Sequence, residues 1–161
     1  FVEGNHEFNM GGYFESYSGV KCSKSLSIGI ESMKIFISHG YEIPGNYVAK
    51  FLKTGFVNSI MDYFGPALTW AIASLAKYFL SKRDKGYNQK VLNIFRNYAN
   101  KILDQGYDVV MLAHSHMPDE ASYSAGGNKK YYFNTGDIIT SGTYVEYRTG
   151  LGFSIKKYEP Q

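Results

Sequence analysis

The chain contains four histidines, His6, His39, His114 and His116, and all of them sit in peptides of one form. "VEGNH", "IFISHG" and "VVMLAHSH" each run from apolar residues through a small one to a side chain that can ligate a metal. Neutral imidazole is the commonest transition-metal ligand, and an asparagine carbonyl can add an oxygen. Read as strand ends, these peptides would deliver His6, His39, His114 and His116, with Asn5 beside the first, to one edge of a sheet. The carboxyl ends of such strands open on a crevice. A plainer reading stands beside each motif. A lone histidine is more often a surface or core residue than a ligand. Gly4-Asn5 supports an ordinary turn, and alternate residues of an extended "HSH" would point to opposite faces. What favours metal chemistry is the combination: every histidine is used, all at similar strand ends.

The elements that must position these residues can be read from periodicity. "LSIGIESMKIFISHG" reads as two strands around a tight turn, with Leu26, Ile28 and Ile30 alternating and an apolar run ending at His39-Gly40. "QKVLNIFRNYANKILDQG" predicts a helix. Val91, Leu92, Phe95, Tyr98, Ala99, Ile102 and Leu103 share one face, and Gly106 supplies the stop. "DVVMLAHSH" predicts a buried strand running to His114. "KKYYFNTGDI", "GTYVEYR" and "GFSIKKY" predict later strands separated by glycine turns. Strand, helix and strand alternate before this run of strands, which places the chain in the α/β class. With 161 residues, 44% of them apolar, the chain can bury one domain core and is not a disordered sequence. The single cysteine, Cys22, excludes an internal disulfide framework and fits a reducing compartment.

The segment 46–86 departs from this plan. It holds six basic side chains against Asp62 and Asp84, so it carries +4 where the whole chain carries +3. Within it, "PALTWAIASLAKYFL" is apolar almost all round a helix. The longest uncharged run, Tyr63 to Ala76, has 14 residues, too few for a usual transmembrane span. A buried core helix is the plain reading. The functional one is a cap over an apolar ligand or a surface that dips into a membrane, favoured by the surrounding cations.

"GNHE", then "SHG", then "AHSHMP" resemble the last three motifs of the calcineurin-like metallophosphoesterase superfamily. The closing "YYFNTGDIITSGTYVEY" and the placement of the helical insertion are similar to the branch that includes UDP-2,3-diacylglucosamine hydrolases. The resemblance spans essentially the whole chain and implies a four-layer α/β/β/α sandwich with a helical cap insertion at 46–86. It implies two divalent metal ions, Mn by family habit, with Fe or Zn as alternatives. Carried over by position, Asn5, His39 and His114 would bind one ion and His116 the other. His6 would be the catalytic residue beside the scissile phosphate, oriented by Glu7. The reaction implied is hydrolysis of a phosphoester or pyrophosphate by hydroxide made between the two cations. The implied substrate is UDP-2,3-diacylglucosamine, in lipid A biosynthesis. Phe56, Trp70, Phe79 and Leu80 would then line the cap, with Lys82 and Arg83 meeting phosphates or the membrane surface. For any one of these six, packing of a helix pair is an equal reading.

There are departures. Ala113 stands where the family usually has Gly, and Tyr41 where the hydrolase branch often has Asp. The Asp-x-His and Gly-Asp motifs that precede "GNH" in the family have no counterpart before Phe1. Gly136-Asp137 lies among the closing strands and is not given that role. The chain therefore reads as the C-terminal part, 1–161, of one N-terminally truncated metallophosphoesterase domain. Its second metal site would be incomplete and the chain alone inactive. The expected setting is cytoplasmic, peripheral on the inner membrane, with a phosphorylated or nucleotide-linked lipid as partner and no nucleic acid. Two alternatives stay open. One is a phosphodiesterase or phosphomonoesterase of the same superfamily with a soluble substrate. The other is a non-catalytic module that keeps the fold for binding.

Overall fold

A computed structural model describes residues 1–4, 11–43, 89–125 and 127–159 of the chain. The elements in order are α1 (Gly11–Ser18), β1 (Ser25–Ile30), β2 (Met33–Ser38), α2 (Gln89–Leu103), β3 (Val109–Leu112), β4 (Asp119–Ala125), β5 (Asn128–Asn134), β6 (Thr143–Arg148) and β7 (Gly152–Lys157). The first five strands form one mixed sheet in the order β1-β2-β3-β5-β4, and β6 and β7 form a separate hairpin. The chain is thus the α/β protein expected from its sequence.

Consecutive residues of a strand face opposite sides of a sheet, and here each side has its own core. Val110, Leu112 and Tyr132 face α2 and pack with its Leu92 repeat partners Phe95, Ala99, Ile102 and Leu103. Val109, Phe133 and Ile35 face the other way, against Val145, Phe153 and Ile155 of the hairpin. Among the described residues the layers therefore stack as helix, sheet and hairpin, which is the α/β/β part of the expected sandwich. Burying several side chains of this size on each face, at about 1.5–3 kcal/mol apiece, is the main force holding the layers together.

Helix α2 forms where the 3.6-residue spacing placed it. Its C-terminus is closed by Gly106 at φ 95° and by Lys130, whose Nζ donates to the Leu103 carbonyl at 2.5 Å. The β1–β2 hairpin forms as read, with Glu31 left-handed at its turn. Three features differ from the sequence reading. β3 stops at Leu112 and not at His114. β4 is an edge strand that sequence patterning did not signal, because only Ala121 and Tyr123 pack inward from it. α1 is a short helix opening on two glycines, steadied by Phe14 against Phe1 at 5.3 Å between ring centres. No helix among the described residues is long and apolar enough to cross a membrane.

Candidate functional site

Three strands run parallel at the centre of the sheet, so their carboxyl ends open on one edge. Ile37 stands beside Met111, and Leu112 beside Asn134. The loops that leave these ends carry His39, then His114 and His116, then Asp137. The first two loops are tied together where the Ala113 N–H donates to the His39 carbonyl at 3.1 Å.

Each loop turns sharply for a visible reason. Gly40 has φ 92°, and a Cβ there would lie 3.1 Å from Phe95 Cε1 and 3.2 Å from Ile43 Cδ1. Only glycine takes that conformation in that space. After β3 the backbone is left-handed at both His114 (φ 61°) and His116 (φ 57°). Such conformations cost non-glycine residues roughly 1–2 kcal/mol each and gather at functional sites. They also remove the alternation of an extended chain, so "HSH" wraps and does not splay. Ser115 steadies the wrap: its N–H donates to the Ala113 carbonyl at 2.7 Å, and its Oγ accepts from the Met117 N–H at 3.2 Å.

The result is two pairs of polar side chains. His39 Nε2 and His114 Nδ1 lie 3.3 Å apart, with the rings edge to face at 74° and their centres 5.1 Å apart. Two imidazole nitrogens bound tetrahedrally to one ion at 2.0–2.1 Å would stand roughly 3.3 Å from each other. The spacing of this donor pair therefore matches that of two nitrogens on one transition-metal ion, and it is also the spacing of an N–H···N hydrogen bond. His116 faces a different partner: its Nδ1 is 3.8 Å from Asp137 Oδ2. The Thr140 backbone N–H, which donates to Asp137 Oδ1, holds the Asp137 carboxyl below the usual carboxylate range, so it is an anion at neutral pH. Among the described residues no three His, Cys, Asp or Glu side chains group closely enough to hold a metal by themselves.

Tyr41 packs beside His39. It is buried, with its ring 5.9 Å from that of His39. Burial, with smaller contributions from Glu42 and Glu3, pushes its hydroxyl up to about 12, so it stays neutral.

Two contributors escaped sequence reading. Asn134 is fully buried and clamps two loops at once: Nδ2 donates to the Ala113 carbonyl at 3.0 Å, and Oδ1 accepts from the Gly136 N–H at 3.2 Å. It thereby fixes the His114 loop to the Asp137 loop. Asp137 is the second, and its own loop is rigid. A Cβ on Gly136 (φ 69°) would come within 2.4 Å of Thr143 Oγ1 and 2.6 Å of Pro118 Cγ. The only advance signal was the polar string "NTGD", which reads equally well as a turn.

An open apolar cleft of about 180 Å³ lies at this edge, lined by Val2, by Ile37 to His39, by Met111 to Ala113 and by Thr135. Val2 is held by a parallel bridge to Ser23, and Gly4 beyond it is buried. The segment leading to Asn5 thus approaches the edge that carries His39. Asn5, His6 and Glu7 lie outside the described residues. So does the 46–86 cap with Phe56, Trp70, Phe79, Leu80, Lys82 and Arg83.

No family model matches the chain. No curated protein matches it either. Solved structures do. One is an archaeal phosphodiesterase, at 13% identity and TM-score 0.42, matched over 96% of this chain and 66% of that one. Another is a Thermotoga maritima protein solved by NMR, at 15% identity and TM-score 0.42, over 98% of this chain and 64% of that one. A Streptococcus pneumoniae protein described as a predicted phosphoesterase matches at 16% identity and TM-score 0.35, over 98% of this chain and 69% of that one. The chain spans a little under two thirds of the length of the first two. Likeness of this order says nothing of substrate or activity, so the chemistry is argued from the side chains.

Proposed function

We propose that the chain forms part of a metal-dependent phosphoester hydrolase, with its metal-binding side chains on the edge that carries His39 and His114. One observation carries this: the 3.3 Å separation of His39 Nε2 and His114 Nδ1 on adjoining parallel strand ends. Divalent ions held there would acidify water and neutralise charge on phosphoryl oxygens. The protein's own residues do the rest. His39 and His114 present imidazole nitrogens, Asn134 and Gly136 hold the loops at fixed separation, and buried Tyr41 packs beside His39. Asn5 would add an oxygen ligand and His6 would face the phosphate, as the family motif implies.

The substrate class is a phosphodiester or phosphoanhydride. The apolar, basic segment 46–86 supports a lipid-linked substrate such as UDP-2,3-diacylglucosamine. A soluble diester leaves that segment without a role but suits the same edge. The intact protein assayed with Mn2+ on bis(p-nitrophenyl) phosphate and on UDP-2,3-diacylglucosamine tests both levels. Hydrolysis of either, lost in H39A and H114A, is the expected result. Hydrolysis of the diester alone rejects the lipid-linked substrate. No hydrolysis of either, with no cation bound, rejects the proposal.

A further inference from the structure

We infer that Asp137 is a positioning residue for His116: its carboxylate holds the proton of His116 on Nδ1 and so turns Nε2 outward as a metal-binding nitrogen. The inference deepens the metal-dependent reading above and rests on it for the identity of what Nε2 binds.

The geometry comes from two loops that sequence separation hides. His116 follows β3 and Asp137 follows β5. The parallel β3–β5 register, with Leu112 beside Asn134, sets the loops next to each other. Asn134 then locks them, bonding Ala113 on one side and Gly136 on the other. Asp137 is held far more firmly than a turn carboxylate needs to be. Its N–H donates to Ser141 Oγ at 3.0 Å, and its carbonyl accepts from Ser141 Oγ at 2.6 Å and from the Thr143 N–H at 3.2 Å. Its Oδ1 is taken by the Thr140 N–H. The Thr140 side chain and the Ser141 N–H also donate to the carboxylate, and its Oδ2, 3.4 Å from Ser141 Oγ, faces His116 Nδ1 at 3.8 Å.

The carboxylate is largely shielded, with the Asp137 side chain 14% exposed, whereas the His116 side chain is 64% exposed. The mobile partner is therefore the imidazole. At 3.8 Å the pair is an ion-pair contact that must shorten to become a hydrogen bond, and Nδ1 is the nitrogen that faces the fixed carboxylate. An ionised carboxylate only accepts, so the nitrogen facing it must carry the proton. The other nitrogen is then left with its lone pair. Carboxylate–histidine pairs of this kind fix the tautomer and raise ligand basicity at metal sites.

D137N makes a sharp test. The amide oxygen stays on the Thr140 N–H, because that donor requires an acceptor. The amide NH2 then takes the side that faces His116 and donates to Nδ1, with the Thr140 side chain and the Ser141 N–H turning to the amide oxygen. The proton moves to Nε2 and blocks it as a ligand. A purely structural role for Asp137 as a turn anchor would leave the tautomer unchanged, since Asn preserves the Thr140 bond.

The experiment is imidazole nitrogen NMR on the intact, metal-free protein, followed to a pH at which the ring nitrogens no longer shift, and then Mn2+ titration. The expected result is the Nδ1–H tautomer of His116 in the native protein and the Nε2–H tautomer in D137N. A loss of about 10–100-fold in affinity for the His116-bound Mn2+ should accompany it. In H116A, adding D137N should change Mn2+ affinity no further. An Nε2–H tautomer in the native protein overturns the inference, as does an unchanged tautomer in a folded D137N. If D137N does not fold, the native spectrum alone decides. If the native protein takes up no Mn2+, the hydrolase reading fails, while the tautomer still decides the role of Asp137.

Discussion

His39 Nε2 lies 3.3 Å from His114 Nδ1, although the two residues are 75 positions apart in the chain. Nothing local makes that contact. It follows from β2 and β3 lying parallel and adjacent, so that the first residues beyond their carboxyl ends meet. If both nitrogens hold one cation, binding should stabilise the folded state by mass action. At a cation concentration of about 100 times Kd the gain is about 2.7 kcal/mol. For a chain of this size that is roughly 5–10 °C in Tm. H39A and H114A should each abolish most of that shift, and the double variant should lose no more than either alone. Thermal unfolding with and without Mn2+ reads this directly.

Asn134 should matter to both stability and site. N134A removes two buried hydrogen bonds and strands the Ala113 carbonyl and the Gly136 N–H. A loss of about 2–3 kcal/mol is expected, from the desolvation of orphaned groups. Urea unfolding should show a lower midpoint with an unchanged m-value. Mn2+ affinity should fall too, because the histidine and aspartate loops lose their shared anchor.

A second buried contact lies away from the site and tests the fold alone. Arg96 of α2 grips Asp119 of β4 through both carboxylate oxygens, Nε to Oδ2 at 2.8 Å and Nη2 to Oδ1 at 2.5 Å. This bond to Asp119 is the main reason the guanidinium is held still further above its ordinary range. The Asp119 side chain is only 4% exposed, so R96M leaves a shielded carboxylate unpaired. The expected cost is about 3 kcal/mol, the low end for a broken buried pair, because Arg96 itself is 36% exposed. Chemical denaturation checks it, and Mn2+ affinity should be unchanged.

Alkaline stability should trace to tyrosines. Desolvation pushes the Tyr132 hydroxyl well above its ordinary value and Tyr41 up to about 12. In the unfolded chain both ionise near pH 10. Between that value and the folded ones, the folded state holds more protons, so stability falls as pH rises. The contribution of each is fully present below about pH 10 and for Tyr41 is lost by about pH 12. Y132F should flatten the alkaline limb of stability against pH, measured by urea midpoints.

The parts of the fold legible in the sequence were those with strong local period. Helix α2 showed its buried face in Leu92, Phe95, Ala99 and Ile102. The β1–β2 pair showed its alternation and turn. β4 was not legible, because an edge strand reading "DEASYSA" carries little apolar alternation, and its place depends on pairing with β5. α1 was not, because two glycines at its start argue against a helix. At the site, the histidines were legible as residue types at strand ends. The wrap of "HSH" was not, since left-handed His114 and His116 defy ordinary backbone preference. Asn134 and Asp137 were hidden for another reason. Polar residues beside a glycine look like turn chemistry until the β3–β5 register brings them against Ala113 and His116.

The most direct measurement of the central claim is anomalous diffraction from crystals of the intact protein loaded with Mn2+. The account predicts a peak within about 2.0–2.3 Å of both His39 Nε2 and His114 Nδ1. No peak there, with the two rings instead joined by an N–H···N hydrogen bond, would contradict it.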